Sequence, residues 1–248
     1  SDPLRGLSIE AIRQMPLAEQ EVVLKLLRKL EESTSKLEAR EKFLPFVRRI
    51  WPESLVGRHH KEIAKIYDGI IAGELKRVII NLAPRHTKSE YASWLFPAFF
   101  LGKRPNAKIM QVCNVADLAE GFGRRVRDTI WSEDYQELFP GTTVSKDARA
   151  ARRWITSEGG SYYATGVGGA LAGRGADHLN IDDPHSEQEA SRALFDPKCF
   201  DGTYEWYNTG PRQRLQPGGS ISLVQTRWGK NDLRSEEHTS ELQSLRHI

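Results

Sequence analysis

The sequence predicts an α/β fold in which a mostly parallel sheet carries helices on both faces and is preceded by N-terminal helices. Two observations predict it. Short apolar runs of strand length recur at residues 78–82, 108–112, 179–181 and 220–225. Segments of helical period separate them, and such alternation needs crossover connections, which give parallel pairing. The 248 residues suffice for one large α/β domain or two small ones.

The elements follow in order. Residues 8–41 have helical character, with Ser8 as a possible N-cap and Leu17, Val22, Val23, Leu26, Leu27 and Leu30 near a 3–4 residue period. The polar stretch 31–36 predicts a loop or frayed join. A second amphipathic helix is expected over 37–50, stopping before Pro52, and a third over 59–72 with Gly73 as its C-terminal cap. The run 78–82 ends at Pro84 and reads as a buried strand. Helical patterns follow at 89–101, 115–131 and 187–214, the last interrupted at Pro197 and Pro211. The strand at 220–225 is entered through the turn Pro217-Gly218-Gly219. The glycine-rich stretch 159–175 reads as a flexible hairpin or loop. Its Gly168 to Gly175 portion mimics a phosphate loop but lacks the Lys-Ser/Thr end.

Composition excludes several classes. Hydrophobic residues at 39% and charged residues at 28% argue against wholesale disorder. The longest mostly apolar run, 94–101, contains Pro97 and falls far short of the ~20 residues of a membrane span. Cys113 and Cys199 form no C-x-x-C pair, so neither a disulfide framework nor a zinc ribbon is supported, and a reducing, cytosolic setting fits. The formal charge of +3 is too mild to establish a nucleic-acid partner. Arg124, Arg125 and Arg127 read first as a solvated helix face, with DNA phosphate contact as a minority reading. His59 and His60 read as surface histidines at a helix start, with adenine contact as a lesser reading; no third ligand spacing supports a metal.

Three candidate sites lie at the C-terminal ends of predicted strands. Pro84-Arg85-His86-Thr87-Lys88-Ser89 follows the first strand and opens a helix. A phosphate-binding loop needs inward backbone N–H groups, a helix N-terminus, a Lys for the terminal phosphates and a hydroxyl for Mg²⁺. Lys88 and Ser89 supply the last two, although Leu82 and Thr87 stand where G-x-x-x-x-G-K-[ST] has its glycines. Second, the strand 179–181 ends in Asp182-Asp183-Pro184. Asp182 suits Mg²⁺, directly or through water, and Asp183 suits polarising an attacking water; an exposed turn is the plainer reading of the same residues. With one predicted strand between them, the two loops belong on neighbouring or next-neighbouring strands. Third, Gln225-Thr226-Arg227-Trp228 ends the last strand, where Thr226 could sense a γ-phosphate.

In order and spacing these segments resemble the large terminase subunit of tailed bacteriophages and prophages. The motifs are Ala83-Pro84-Arg85-His86-Thr87-Lys88-Ser89, Ile181-Asp182-Asp183-Pro184 and Thr226-Arg227-Trp228 after Pro217-Gly218-Gly219. Leu138-Phe139-Pro140-Gly141, Gly166-Val167-Gly168-Gly169 and Ala172-Gly173-Arg174-Gly175-Ala176-Asp177 fit as well, so the resemblance spans roughly residues 43–233. It implies a P-loop NTPase (RecA/ASCE-like) fold, ATP and Mg²⁺ as cofactors, and an ATPase that drives double-stranded DNA into procapsids in the cytoplasm of an infected or lysogenic bacterium. Implied partners are DNA, the portal protein, the small terminase subunit and further copies of the chain in a ring on the portal; no membrane is involved. The implied mechanism makes Arg85 the cis and Arg174 the trans candidate for meeting γ-phosphate charge. Asp183 departs from the Glu common in the wider class.

The expected organisation is an N-terminal helical segment 1–50, an ATPase domain 51–233 and a tail 234–248. Within that tail, residues 234–244 resemble the translation of a sequencing-adapter oligonucleotide. A nuclease domain is expected to follow position 233 in the natural protein. The competing readings are a nucleotide- or DNA-binding fragment without turnover, and a helicase-like DNA translocase.

Overall fold

Apolar runs too short for a helix and too continuous for an exposed strand become the buried strands of a single sheet. The computed structural model describes residues 9–144, 150–171, 173–229 and 231–233. Ser8, Ala172 and the tail 234–248, which figured in the sequence reading, lie outside them. In chain order the elements are α1 (Ile9–Arg13), α2 (Leu17–Glu41), α3 (Phe43–Ile50), α4 (Arg58–Ala72), β1 (Arg77–Asn81), a π-helical segment (Glu90–Leu95) continuing into α5 (Phe96–Lys103), and β2 (Lys108–Cys113). Then come α6 (Ala116–Trp131), α7 (Glu133–Leu138), β3 (Arg153–Ile155), β4 (Ser161–Gly166), β5 (Ala176–Asp182), α8 (Glu187–Arg192), α9 (Asp201–Thr209) and β6 (Leu215–Gln225).

The six strands order as β1-β6-β5-β2-β4-β3. Every neighbour pair is parallel except β3–β4. Parallel neighbours put their C-terminal ends on one edge, and β6 lies between β1 and β5. The loop after β1 and the acidic pair after β5 are thus next-neighbours, with the end of β6 between them.

Two cores sandwich this sheet. One face packs Val78, Ile80, Ile109, Ala164 and Val224 beneath the helices, with Phe43, Phe46, Tyr67, Phe96 and Phe99 meeting there. Phe43, from ahead of position 51, packs edge-on to Tyr67, Tyr91 and Phe96. The other face packs Ile79, Met110, Leu179, Ile181 and Leu223 against Tyr207 of α9. This alternation along each strand is the pleat.

Several boundaries differ from expectation. Residues 31–36 are no join: α2 runs unbroken to Glu41, and the chain turns at Lys42, whose extended backbone (φ −125°) ends one helix and starts the next. Gly73 caps α4 in the left-handed conformation, as expected (φ 80°). Three strands, not one, separate the loop from the acidic pair in sequence, because β3 and β4 form a hairpin. Within the stretch 159–175, expected as a flexible hairpin or loop, Ser161–Gly166 is the second strand of that hairpin; its glycine and hydroxyls weaken the strand signal, and burial of Tyr162, Tyr163 and Ala164 overrides that propensity. Among the described residues no helix is long and apolar enough to cross a membrane.

Candidate phosphate-loop site

The loop after β1 has the geometry that its glycine-poor sequence obscured. Arg85 (φ 64°) and Thr87 (φ 53°) both sit in the left-handed region, flanking His86. Such alternation of backbone handedness turns successive N–H groups toward one concave side and makes an anion cradle. Left-handed backbone at a β-branched residue is uncommon, and here neighbours hold it. The Nδ1 of His60 accepts from the Gly57 N–H (2.9 Å), so the proton of the neutral ring is assigned to Nε2, which donates to Thr87 Oγ1 (2.5 Å). Thr87 in turn donates to the His86 carbonyl (2.8 Å). His86 closes the loop's start through Nδ1, 3.2 and 3.0 Å from the carbonyls of Ala83 and Pro84. His60 is buried, which corrects its reading as a surface residue. Burial, then the charge of His59, holds its pKa below the usual histidine value.

Lys88 and Ser89 follow at the head of the helix. Lys88 is 7% exposed, and its ammonium pairs with Asp183 Oδ2 at 2.7 Å. Ser89 Oγ donates to Asp182 Oδ1 at 3.1 Å. The loop and the acidic pair, distant in sequence, therefore meet side chain to side chain.

Asp182 is the last residue of β5 and is buried. Burial pushes its carboxyl up to about 7, and the neighbouring Asp183 charge adds to this; hydrogen bonds from Ser93 and Ser89 and the Lys88 charge pull the other way. Asp183 has left the strand with φ 40°. Its N–H still donates to the Val224 carbonyl (2.8 Å), and its Oδ1 accepts from the Thr226 N–H (2.8 Å). That left-handed step turns two consecutive carboxylates to different partners. Thr226 Oγ1 reaches the Leu82 carbonyl at 3.5 Å, so the end of β6 ties both loops together.

The two arginine candidates are far apart. Arg85 lies in the loop and lines a cleft of about 510 Å³ with Trp51, Leu55, His60, His86 and Tyr91. Arg174 precedes β5, whereas Asp182 ends it; at ~3.3 Å per residue the seven residues of that strand put roughly 20 Å between its ends. The Arg174 guanidinium instead stacks over Tyr163 at 3.8 Å. The arginines of α6 are partly engaged within the chain: Arg125 covers Trp94 at 3.5 Å and Arg127 pairs with Asp128 at 3.0 Å. Among the described residues no cluster of three or more His, Cys, Asp or Glu could hold a metal ion by itself.

Ser93 was missed by sequence reasoning. It stands just ahead of the run 94–101 and is fully buried, with Oγ 2.7 Å from Asp182 Oδ2. The signal that could have exposed it is a period of two: His178, Asn180 and Asp182 in β5, and Ser220 and Ser222 in β6, alternate with apolar residues. That pattern places a polar row on the face covered by the π-helical segment.

The donor set suits a magnesium-bound nucleotide. A serine hydroxyl and a carboxylate are the hard oxygen ligands that Mg²⁺ takes together with phosphate oxygens and waters. A lysine ammonium and a left-handed backbone cradle at a helix start suit the phosphates.

Fold and site together define an α/β protein with a mostly parallel six-stranded sheet and a candidate anion-binding loop at its edge. Its phosphate-type loop follows one strand, its acidic pair ends the next-but-one, and a threonine sits between. No family model and no curated protein matches the chain. Among solved structures it is similar to a mutant form of the Thermus phage P74-26 large terminase ATPase domain, at 20% identity over 70% of each chain and a TM-score of 0.43.

Proposed function

We propose that this chain is the ATP-hydrolysing motor domain of a phage-type large terminase, with the ATPase unit in residues 51–233. The observation that carries the nucleotide reading is the convergence of Lys88, Ser89, Asp182 and Asp183 at one sheet edge, through contacts of 2.7 and 3.1 Å. The ordered motifs of the terminase resemblance support the narrower assignment.

The loop backbone from Pro84 to Thr87 would cradle the phosphates, and Lys88 would swing from Asp183 to the β- and γ-phosphate oxygens. Ser89 and Asp182 would hold Mg²⁺, which when bound supplies positive charge against the phosphate oxygens. Release of Lys88 frees Asp183 Oδ2, while Oδ1 stays on the Thr226 N–H. The carboxylate would then be oriented to take a proton on Oδ2 from a water as that water adds to the γ-phosphorus and the bond to the ADP oxygen breaks. Thr226, bonded to Asp183 on one side and to Leu82 on the other, would report the γ-phosphate to both loops. Arg85 is the in-chain candidate for transition-state charge, and such a contact is worth about 10³–10⁵ in rate. Arg174, at the far end of β5, could serve only a neighbouring subunit, as in a ring on a portal. DNA, portal and small-subunit contacts follow from the resemblance alone.

Steady-state ATP hydrolysis, measured with and without double-stranded DNA, tests this reading. Turnover that DNA stimulates and Lys88→Ala abolishes supports it. Nucleotide binding without turnover leaves a binding fragment, and activity surviving Lys88→Ala overturns the assignment.

A further inference from the structure

A row of fully buried polar side chains runs beneath the π-helical segment and ends on the candidate metal carboxylate. Ser93 Oγ lies 2.7 Å from Asp182 Oδ2, 2.9 Å from Gln111 Nε2 and 3.1 Å from Asn180 Nδ2. A hydroxyl has one proton to give and two lone pairs. Both amide nitrogens are donors, and the amide orientations are set by the rest of the row. Asn180 Nδ2 also donates to Gln111 Oε1 (2.8 Å), and Asn180 Oδ1 accepts from Ser222 Oγ (2.6 Å). Both lone pairs of Ser93 are therefore occupied, and its proton has one place to go, Asp182 Oδ2.

The backbone supports the same conclusion. Glu90–Leu95 is π-wound within an otherwise α-helical run. π-Segments are rare and cluster at functional sites. Ser89 and Ser93, four residues apart on one face of this run, reach the two oxygens of one carboxylate.

We propose that Ser93 is a positioning residue for magnesium: by donating to Asp182 Oδ2 it fixes the carboxylate rotation, so that Oδ1 faces Ser89 and the phosphate loop. The inference rests on the nucleotide reading of this site. It adds a third group, outside the loop and acidic motifs, held by Gln111 and Asn180.

Outer-shell partners of metal ligands typically change metal affinity by about 10–100-fold. The test compares ATP affinity in excess magnesium with ATP affinity in a chelator, together with thermal stability, for the whole chain. Ser93→Ala is expected to reduce the magnesium enhancement of ATP binding about tenfold while leaving the chelator affinity unchanged. Ser93→Thr, which restores the hydroxyl, is expected to recover the enhancement even where its extra methyl lowers Tm. Ser220→Ala is the control, because it removes a buried hydroxyl at the opposite end of the same row, 2.8 Å from His178 Nδ1. It is expected to lower Tm without altering the enhancement. Equal enhancement in wild type and Ser93→Ala overturns the proposal, as does an equal loss in Ser220→Ala. A wild-type chain that binds ATP under neither condition overturns the nucleotide reading, and this inference with it; the chelator arm distinguishes that result.

Discussion

Lys88 and Asp183 form an ion pair of 2.7 Å at the edge where the phosphate loop meets the acidic pair, and the lysine is almost wholly enclosed. A buried ammonium needs a partner, so under the proposed function the carboxylate and a phosphate would compete for it. Neutralising the carboxylate removes the competitor. Asp183→Asn is expected to keep or tighten ATP affinity while lowering kcat by about 10²–10⁴, the usual contribution of a positioned base. Calorimetric binding beside single-turnover hydrolysis checks this. Weaker binding with unchanged turnover would place Asp183 among the binding groups alone.

His60 and Thr87 offer a second separation. The His60 ring holds a threonine whose backbone is left-handed, and glycine adopts that backbone without a neighbour's help. Removing a hydrogen bond of this kind costs about 1 kcal/mol, so His60→Ala is expected to weaken ATP binding about fivefold. Adding Thr87→Gly should restore affinity if His60 acts by shaping the loop. Continued weakness in the double variant would mean that His60 instead meets the ligand in the cleft beside Trp51 and Tyr91.

The strand-and-loop plan was legible because its signals are local. Four of the six strands carry short stretches rich in apolar residues, although the turn triplet Pro217-Gly218-Gly219 lies inside β6 rather than ahead of it, and Lys88, Ser89, Asp182 and Asp183 stand at strand ends where chemistry is expected. What escaped notice depends on the third dimension. β3 and β4 carry no continuous apolar run and are strands by virtue of burial against α6, where Trp154 Nε1 donates to the Gly123 carbonyl (3.1 Å). His60 looked like a surface residue because nothing in the sequence reveals that α4 lies over the phosphate loop. Thr87 looked like a departure from a glycine-dependent loop, yet a histidine from another helix supports its conformation.

Phe43 links the N-terminal helices to this site. It is fully buried and touches Tyr67, Tyr91 and Phe96, and Tyr91 stacks on His60 with ring centroids 4.7 Å apart. Phe43→Ala is expected to destabilise the protein by about 3–5 kcal/mol, the range for large core aromatics, read as a lower urea midpoint with an unchanged m-value. A loss below about 1 kcal/mol, the scale of a surface substitution, would show that α3 is not integral to the core.

His178 gives the chain an acid-sensitive strand. Its ring is buried between Phe96 and Phe100 and bonded to Ser220 and Ser222. Because Ser222 spends its proton on Asn180, His178 Nε2–H donates to Ser222 Oγ, and Nδ1 accepts from the Ser220 hydroxyl; the ring is full in its neutral form. Burial pushes its pKa down to about 3. An unfolded histidine titrates near 6.5, so between those values the unfolded chain takes up a proton that the native ring refuses. The stability is present above pH 6.5 and lost as pH falls, by up to about 1.4 kcal/mol per unit for this one group. His60 and His185, also lowered by burial, act in the same direction. Asp182, raised to about 7, acts in the opposite one, because the native state then holds its proton more tightly than the unfolded chain. The contribution of His178 is therefore isolated by difference. His178→Gln, whose amide can serve both serines, is expected to lower stability at neutral pH and to lose stability less steeply than wild type below pH 6.5. Urea unfolding of the two proteins across that range measures the slopes. Parallel slopes would mean that the ring takes up a proton within the native fold, at a pKa close to that of the unfolded chain.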